Sequence, residues 1–389
     1  MSRADRRVYL DHNATSALRP EAREAIRAML SAAAGNPSSL HAEGRAARAA
    51  VEKARGQVAA LIGARSSEVV FTSGGSEAIA AAVLGACSRA PALRRKIVIS
   101  AVEHSAVLEA ARQAVRLGFE VVPVPCERSG RVAVDAFVSR VGEDTVLAAL
   151  QWANNETGVV QPVEDVGRAC SSAGALFLVD AVQAAGKARI DVERAGASLL
   201  VVSSHKMGGP QGAGALFVRE GTPMTPLIPG GAQERRRRGG TEAVAVLAGF
   251  GAAAEASHAS LEAESGRLAR LGGQIEGFLR ERFPGVVIHG DGAPRVGNTV
   301  NLALPGVSGE MLAIALDVAG FAVSTGSACA SGAIEPSHVI RAMGYPEGEA
   351  RGAVRVSLGW STTEAEVDDF LDALPGIVER VRDRVVARS

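Results

Sequence analysis

The sequence has few cysteines, and no two of them lie close together. The four, Cys87, Cys126, Cys170 and Cys329, are spread over 389 residues and form no Cys-x-x-Cys pair. This spacing argues against a zinc site, an iron–sulfur cage and a framework of disulfide bonds. We therefore expect no bound metal, and each cysteine has to be interpreted singly.

The chain also lacks a net charge. Lysine plus arginine and aspartate plus glutamate both number 42, so the formal net charge is zero. Without an excess of one sign there is no global field to attract nucleic acid or an anionic membrane. We expect a site for a small molecule, no direct binding of nucleic acid and no membrane attachment.

Long apolar runs are missing as well. The N-terminal stretch "MSRADRRVYLDH" has no apolar core of a signal peptide. The longest uncharged stretches are too short, and too rich in Ala and Gly, to span a bilayer. The sequence predicts a cytoplasmic protein.

What the sequence does contain is an alternation of short apolar runs with Ala-rich helical stretches. "EVVFTS" precedes "EAIAAAVLGACSRA", and "KIVISA" precedes "SAVLEAARQAVRLG". Apolar strands that alternate with helices predict a mostly parallel sheet covered by helices. After about residue 255 the pattern changes to a long charged helix and further strands. The chain is therefore expected to form a larger α/β domain and a smaller α+β domain.

Polar groups gather where the predicted strands end. In open parallel sheets, ligands bind beyond the carboxyl ends of the strands. Taken alone, each polar end has a structural explanation, such as a helix cap for Ser76 or a surface position for Lys206. Together they predict a binding site, and the stretches are "TSGGSE" (72–77), "EHS" (103–105), "NNETG" (154–158), "DAVQ" (180–183) and "SSHK" (203–206).

The first of these stretches indicates an anion site. "TSGGSEAIAAAV" places two glycines and two serines just before a helix. Backbone N–H groups and a hydroxyl there can surround a phosphate at the positive end of the helix dipole. The sequence lacks the Gly-Lys-Ser/Thr of a P-loop, and it lacks a Gly-x-Gly-x-x-Gly with its downstream acid. Neither nucleoside triphosphate nor dinucleotide binding is indicated.

Asp180 and Lys206 add two reactive groups to the same edge. Asp180 ends the apolar run "ALFLVD", where a buried carboxylate needs a cationic partner such as a protonated pyridine nitrogen. Lys206 is the only lysine after Lys187 in a chain that otherwise uses arginine. Lysine can form a Schiff base, whereas arginine cannot. A phosphate cup, an aspartate and a lysine are the parts needed to hold pyridoxal phosphate.

The complete set of motifs resembles the cysteine desulfurases of the class V aminotransferase group, within the fold-type I pyridoxal-phosphate enzymes. This resemblance implies a large cofactor-binding α/β domain with a mostly parallel seven-stranded sheet, residues 16–257. It also implies a smaller α+β domain, residues 1–15 and 258–389, and a homodimer. The matching stretches run along nearly the whole chain: "VYLDHNATS", "GNPSSLHAEGR", "FTSGGSEA", "EHSAVLE", "NNETGVVQPV", "DAVQAAGK", "SSHKMGGPQGAGALFV", "GTEAV", "NTVNLALPGV", "STGSACASG" and "VRVSLG".

The resemblance assigns a role to each matching residue. Lys206 binds the cofactor covalently and moves protons in catalysis, and the turn at Gly208 and Gly209 lets the backbone pass close to the cofactor. By the same resemblance, Asp180 pairs with the pyridinium nitrogen, Gln183 hydrogen-bonds the phenolic oxygen, and His104 stacks on the ring and takes part in catalysis. The residues implied to hold the phosphate are Gly75, Ser76, Ser203 and His205, together with Thr241 of a second subunit. The substrate would be positioned at the cofactor by Asn155 and Arg355.

Cys329 lies in "AVSTGSACASGAIEPSHV", whose small residues suit a mobile loop better than a packed core. A small buried hydrophobe is the better interpretation of Cys87 and Cys170. The resemblance implies that Cys329 is the nucleophile. Cys329 would take the sulfur of L-cysteine and hold it as a persulfide, and the rest of the substrate would be released as L-alanine. The sulfur would then pass to an acceptor protein such as an iron–sulfur scaffold, or be used in tRNA thiolation.

Two alternatives stay open at this point. The chain could be a class V aminotransferase, or a selenocysteine or cysteine lyase, acting on a related amino acid with Cys329 incidental. It could also be a non-catalytic scaffold, although Lys206, Asp180 and Gln183 speak against that.

Three features depart from the pattern of the family or lie outside it. Ser76 stands where many relatives have threonine, which keeps the hydroxyl. Gly239 stands where serine is common, and we expect it to loosen the turn before Thr241. The arginine run 235–238 is expected to be solvated or to lie at an interface.

Overall fold

The computed structural model of the chain describes residues 7–325 and 336–386. The helices in these ranges are α1 (Pro20–Ser31), α2 (Ala42–Ile62), α3 (Gly75–Cys87), α4 (Ser105–Arg116), α5 (Val134–Val138), α6 (Val163–Ala173), α7 (Val244–Ala259), α8 (Leu261–Arg282), α9 (Gly309–Val318), α10 (His338–Ala342), α11 (Glu347–Gly352) and α12 (Glu364–Val386). The strands are β1 (Val8–Tyr9), β2 (Val69–Thr72), β3 (Lys96–Ser100), β4 (Glu120–Val124), β5 (Thr145–Gln151), β6 (Leu176–Asp180), β7 (Leu199–Ser203), β8 (Gly214–Val218), β9 (Val287–Ile288), β10 (Thr299–Ala303), β11 (Phe321–Ala322), β12 (Ser324–Thr325) and β13 (Val354–Ser357). Short 3-10 turns cover Ser66–Glu68, Ser204–Lys206 and Gln233–Arg236.

The central sheet has seven strands in the order β2-β8-β7-β6-β5-β3-β4. Strand β8 is antiparallel to both of its neighbours, and the other adjacent pairs are parallel. Strands β5 and β7 are buried along their whole length, as expected of a sheet that is covered on both faces. The prediction of a mostly parallel seven-stranded sheet is confirmed.

Alternate side chains of each strand pack on opposite faces of this sheet. Ile97 and Ile99 of β3 belong to the apolar cluster that contains residues of α3 and α4. Val98, between them, belongs to the cluster on the other face, with residues of α2, α6 and α7. Since successive side chains of a strand point to opposite sides, an unbroken apolar run is what a doubly covered strand requires.

Helix α6 returns the chain from β5 to the parallel strand β6 and ends at a glycine. Helix α6 has Glu164 and Asp165 in its first turn, where their negative charges stabilise the helix by interacting with the positive end of its dipole. It ends at Gly174, whose φ of 63° is the left-handed conformation that closes the last turn. The chain then enters β6 directly, so Asp180 at the end of β6 is placed at the sheet edge.

A second, four-stranded sheet has the order β12-β13-β10-β9 and is antiparallel. Its core includes residues of α8, α9 and α12, and α8 is the long charged helix predicted from the sequence. The N-terminal β1 pairs with β11, and Val8 lies in the same core. This pairing supports assigning the first residues to the smaller domain, although the exact domain limits stay a prediction.

The arginine run 235–238 begins beside a buried ion pair. Glu234 accepts two hydrogen bonds from the Arg55 guanidinium, at 2.6 and 2.9 Å. Arg238 pairs with Glu77 at the start of α3. A Cβ on Gly239 would lie 2.6 Å from the Cα of Gly230, so glycine there permits close packing of two backbone segments. A looser turn before Thr241 stays a prediction.

Within the described ranges, no single helix is both long and apolar enough to cross a membrane. Helices α7 and α8 pass that test together, with a bend of 73° between them. In the same ranges no three His, Cys, Asp or Glu side chains are grouped as metal ligands.

Candidate functional site

A cleft of about 370 Å³ opens at the carboxyl ends of the parallel strands. Asn155 follows β5, Gln183 follows β6 and Lys206 follows β7, so the predicted strand ends meet there. Ten of the predicted site residues line it together with six others. The full lining is Asn13, Ala14, Gly75, Ser76, Ile79, His104, Gln151, Ala153, Asn155, Asp180, Val182, Gln183, Ser203, His205, Lys206 and Arg355.

The start of α3 forms one end of the cleft. Gly75 is the first helical residue, and a Cβ there would lie 3.2 Å from Val182 Cγ2. The Ser203 hydroxyl faces this end, is buried, and has no hydrogen-bond partner. Unpaired N–H groups of a helix start and an unsatisfied buried hydroxyl are donors that an anion satisfies. The predicted phosphate cup therefore has the chemistry of an anion site.

His205 lies beside this end and is uncharged. Its Nδ1 is 3.1 Å from Thr15 Oγ1. Burial, together with the charges of Lys206 and Lys187, lowers the pKa of His205 to about 4. The neutral imidazole can bind an anion only through an N–H hydrogen bond.

Asp180 lies on the floor of the cleft as a buried carboxyl. Its Oδ1 accepts one hydrogen bond from the Val182 N–H, at 3.0 Å. Burial raises the pKa of Asp180, and the hydrogen bond from the Val182 N–H and the charge of Lys206 oppose that rise. A cation placed against this carboxyl would favour its charged form.

His104 faces the same cleft and caps helix α4. Its Nδ1 accepts a hydrogen bond from the Ala106 N–H at 3.1 Å. Because Nδ1 accepts this hydrogen bond, the ring hydrogen is on Nε2, and burial lowers the pKa of His104. In this arrangement His104 presents a hydrogen-bond donor to the cleft.

Lys206 ends the 3-10 turn that follows β7. Its Nζ donates to the carbonyl oxygens of Asn13 and Ala14, at 2.6 and 2.8 Å. Burial, and after it the charge of Arg355, lowers the pKa of Lys206 to about 8. Near neutral pH a larger fraction of this amine is unprotonated than in an exposed lysine.

The glycines after Lys206 serve protein packing. Gly208 has a φ of 86°, and a Cβ there would lie 2.6 Å from Arg19 Cγ. A Cβ on Gly209 would lie 2.1 Å from Ser204 Oγ. Neither glycine lines the cleft, and the role of the Gly208-Gly209-Pro210 turn toward the cofactor stays a prediction. Gly208 lets the turn pack closely against the N-terminal segment, and Gly209 lets it pack against Ser204.

Arg355 on β13 is a cleft residue that also makes an ion pair. Its guanidinium donates to Asp11 Oδ1 at 2.7 Å and to the Asn155 carbonyl at 3.1 Å. Its side chain is only 7% exposed, which distinguishes it from a surface pair. Its Nε is buried without a partner and can donate to an anionic ligand.

Sequence reasoning assigned no role to Asp11, Asn13 or Lys187. The Asn13 carbonyl accepts hydrogen bonds from Lys206 Nζ and, at 3.0 Å, from Gln183 Nε2. Lys187 Nζ donates a hydrogen bond to Gln183 Oε1 at 2.6 Å. One signal was present, since "DHN" follows an apolar strand and Lys187 is one of four lysines in the chain.

One predicted residue of the described chain, Thr241, does not line the cleft. Thr241 is exposed and precedes α7. Cys329 lies outside the described residues.

The three described cysteines are poor nucleophiles. Burial raises the pKa of Cys87 to about 11 and that of Cys170 to about 12, and it also raises the pKa of Cys126. None of the three lines the cleft.

Several known proteins resemble this chain in sequence and fold. The model of the family described as Aminotransferase class-V matches residues 8–370. The chain is 45% identical to a cysteine desulfurase of Cereibacter sphaeroides over 378 residues, which cover 97% of both chains. A solved NifS-like protein has a TM-score of 0.89 at 34% identity and covers 96% of this chain and 99% of its own. The structure of SspA in complex with cysteine has a TM-score of 0.81 at 30% identity and covers 90% of this chain and 98% of its own.

The anion site can be tested without any larger ligand. Inorganic phosphate should stabilise the apo-protein, with a rise in Tm of about 2 °C at ten times its Kd. Ser76→Asp should abolish this rise, because its carboxylate would occupy the start of α3. Ser88→Asp, at the other end of the helix, is the control and should keep it. Equal stabilisation of the Ser76→Asp protein, measured by thermal unfolding, would contradict the assignment.

Proposed function

The chain belongs to the class V aminotransferase family and is a cysteine desulfurase, and from this premise we propose how its residues act. Pyridoxal phosphate binds in the cleft on Lys206, and Cys329 takes the sulfur of L-cysteine. One observation carries the proposal: a lysine amine of lowered pKa and a buried carboxyl, Asp180, line one cleft with an anion site. The names of the relatives favour this activity over the aminotransferase and lyase alternatives.

The residues present fit pyridoxal phosphate, the cofactor on which this family depends. The buried Ser203 hydroxyl without a partner and the start of α3 suit its phosphate. The buried Asp180 carboxyl suits its ring nitrogen, and the Lys206 amine suits its aldehyde. When bound, the cofactor supplies an aldehyde that condenses with amines and a ring that accepts electrons from the substrate.

Lys206 is the proposed base. With a pKa of about 8, its Nζ can take the proton from the substrate Cα and return it. The carbonyls of Asn13 and Ala14 hold the amine in position. His104 is proposed to stack on the ring and to donate from Nε2, since Nδ1 is occupied by the Ala106 N–H.

Arg355 is the proposed substrate anchor. Its two terminal nitrogens each donate one bond within the protein, and its Nε keeps an unused hydrogen. A carboxylate in the cleft can therefore bind to Nε and to a remaining terminal hydrogen. Asn155 lines the cleft beside it. L-cysteine as the substrate is supported by the related SspA, whose structure contains cysteine.

Cys329 is the proposed sulfur acceptor. A thiolate is required, and burial raises the pKa of each described thiol. The Cys329 thiolate attacks the substrate sulfur, so an S–S bond forms and the C–S bond breaks. The electron pair of the C–S bond stays on the carbon fragment, which gains a proton and leaves as L-alanine. The persulfide then passes its outer sulfur to an acceptor protein, for which we propose an iron–sulfur scaffold.

We also propose a homodimer that shares its sites. Thr241 is exposed on its own chain, and a further cleft of about 470 Å³ borders the anion site at Gly75 and Ser76. This space can admit a residue from a second subunit. Thr241 of that subunit would then complete the binding of the phosphate.

Removal of the proposed acceptor should separate cofactor chemistry from sulfur transfer. Cys329→Ala protein should bind pyridoxal phosphate with the wild-type visible spectrum, because only the acceptor has been removed. It should form no persulfide and release no sulfide from L-cysteine when a thiol reductant is present. Cys126→Ala is the control and should remain active. Normal sulfide release by Cys329→Ala would instead favour a lyase.

Sharing of the sites can be tested by complementation. Thr241→Asp should expel the cofactor, since it sets a carboxylate against the phosphate, and Lys206→Ala removes the reactive amine. Both homodimers should be inactive. In a tagged heterodimer of the two variants, one site has both defects and the other has neither. Up to about half of the wild-type activity per dimer should therefore return.

The cis arrangement is the matched control. A chain that carries both substitutions, paired with a wild-type chain, has one defect in each shared site and should be inactive. If Thr241 belonged to the site of its own chain, this pair would keep half of the activity and the trans pair would have none.

A further inference from the structure

Lys187 lies behind the cleft, in the turn that follows β6, and the function proposed above gives it no task. Its Nζ donates to Gln183 Oε1 at 2.6 Å and to Asn13 Oδ1 at 3.2 Å. Both acceptors are neutral amide oxygens. The two hydrogen bonds connect Lys187 to residues that line the cleft.

The first bond decides which way the Gln183 amide points. A glutamine side chain presents an acceptor oxygen on one side and a donor NH2 on the other. If the amide were reversed, its NH2 would face the Lys187 amine at 2.6 Å, and two donors would oppose each other. With Oε1 held by Lys187, Nε2 lies on the other side and donates to the Asn13 carbonyl at 3.0 Å. Its second hydrogen remains for a ligand in the cleft.

The second bond orients Asn13 in the same way. Asn13 Oδ1 accepts from Lys187 and, at 3.0 Å, from Asn298. Its Nδ2 therefore donates on the opposite side, to Thr299 Oγ1 at 2.8 Å and to the Asn155 carbonyl at 3.1 Å. Asn13 also supplies a carbonyl that holds Lys206. Lys187 thus orients the side-chain amides of Gln183 and Asn13, and the Asn13 carbonyl in turn holds the proposed cofactor lysine.

We propose that Lys187 is a positioning residue that holds the Gln183 amide with its N–H directed at the phenolic oxygen of the cofactor, and that its charge favours the anionic form of that oxygen. The inference rests on the proposed function, which assigns Gln183 to this oxygen. A hydrogen-bond donor and a nearby cation both stabilise an anion. Loss of either makes the bound cofactor easier to protonate.

Several charges act on this amine. Burial, followed by the charges of Lys206 and Arg355, lowers the pKa of Lys187 to about 7. Lys187 in turn contributes to the lowered pKa values of His12 and His205. Of the nearby carboxyl groups, Asp11 pairs with Arg355 and Asp180 lies near His104. Above its pKa the Lys187 amine loses its charge, and with it the part of the effect that depends on charge, but it keeps two hydrogens that it can donate to Gln183 Oε1 and Asn13 Oδ1.

The test is a pH titration of the visible absorbance of the purified holoenzyme, which reports the ionisation of the bound cofactor without turnover. Lys187→Met removes the amine and keeps an unbranched side chain. The apparent pKa of the absorbance change should rise by about one pH unit, as expected for loss of a hydrogen bond to an anion. Lys187→Gln is a second variant, uncharged and one atom shorter, and should shift the pKa in the same direction.

Lys96→Met is the matched control. Lys96 is a partly buried lysine at the start of β3, where it pairs with Asp144 at 2.7 Å. Its replacement should leave the absorbance titration unchanged. An unchanged titration in both Lys187 variants would overturn the inference.

A double-mutant cycle decides whether Lys187 acts through Gln183. Gln183→Ala should raise the apparent pKa by itself, and Lys187→Met added to it should cause a smaller shift than in the wild type. Fully additive shifts would overturn the positioning role. If Gln183→Ala leaves the pKa unchanged, the assignment of Gln183 in the proposed function fails as well. If Gln183→Ala raises it and the Lys187 variants do not, only the inference about Lys187 fails.

Discussion

The site depends on the burial of three cationic side chains in one region. Lys206, Lys187 and Arg355 lie close enough to affect one another, and burial with mutual repulsion lowers the pKa of Lys206 to about 8 and that of Lys187 to about 7. A lysine amine in this range can act as a nucleophile and as a base near neutral pH, whereas an exposed lysine is almost fully protonated. Burial also raises the pKa of Asp180 at the floor of the cleft, so a cation placed against it would favour its charged form. A cofactor with a basic ring nitrogen and an aldehyde complements both groups.

The amines of Lys206 and Lys187 are held by neutral oxygens of Asn13. Because Asn13 follows β1, which lies in the core of the second sheet, these bonds link the two sheets of the fold. The Asn13 carbonyl accepts Lys206, and the Asn13 amide oxygen accepts Lys187. Asn13 reaches the sheet edge because β1 pairs with β11 and because Asp11 forms a bridge with Ser357. Arg355, on β13 of the second sheet, comes to the same place and is compensated by Asp11. Residues of the smaller domain therefore complete a site whose reactive groups come from the large sheet.

The sequence allowed the large sheet and most of the cleft to be predicted, because both follow from short-range patterns. Apolar runs mark the doubly covered strands, and the polar residue after each run lies at the carboxyl edge, as for Asp180 and Lys206. Asp11, Asn13 and Lys187 were missed because their roles come from contacts across the chain, such as the bond between Lys206 and Asn13. The packing of Gly208 against Arg19 escaped prediction for the same reason, since Arg19 comes from a distant part of the chain.

The central claim is that Lys206, rather than the neighbouring Lys187, carries the cofactor. Both amines have lowered pKa values and both bond to Asn13, so chemistry has to distinguish them. The direct measurement is borohydride reduction of the holoenzyme, followed by proteolysis and mass spectrometry of the lysine-containing peptides. The account predicts a modified peptide that contains Lys206 and an unmodified peptide that contains Lys187. Cofactor attached to Lys187, or to Lys96 on β3, would contradict it.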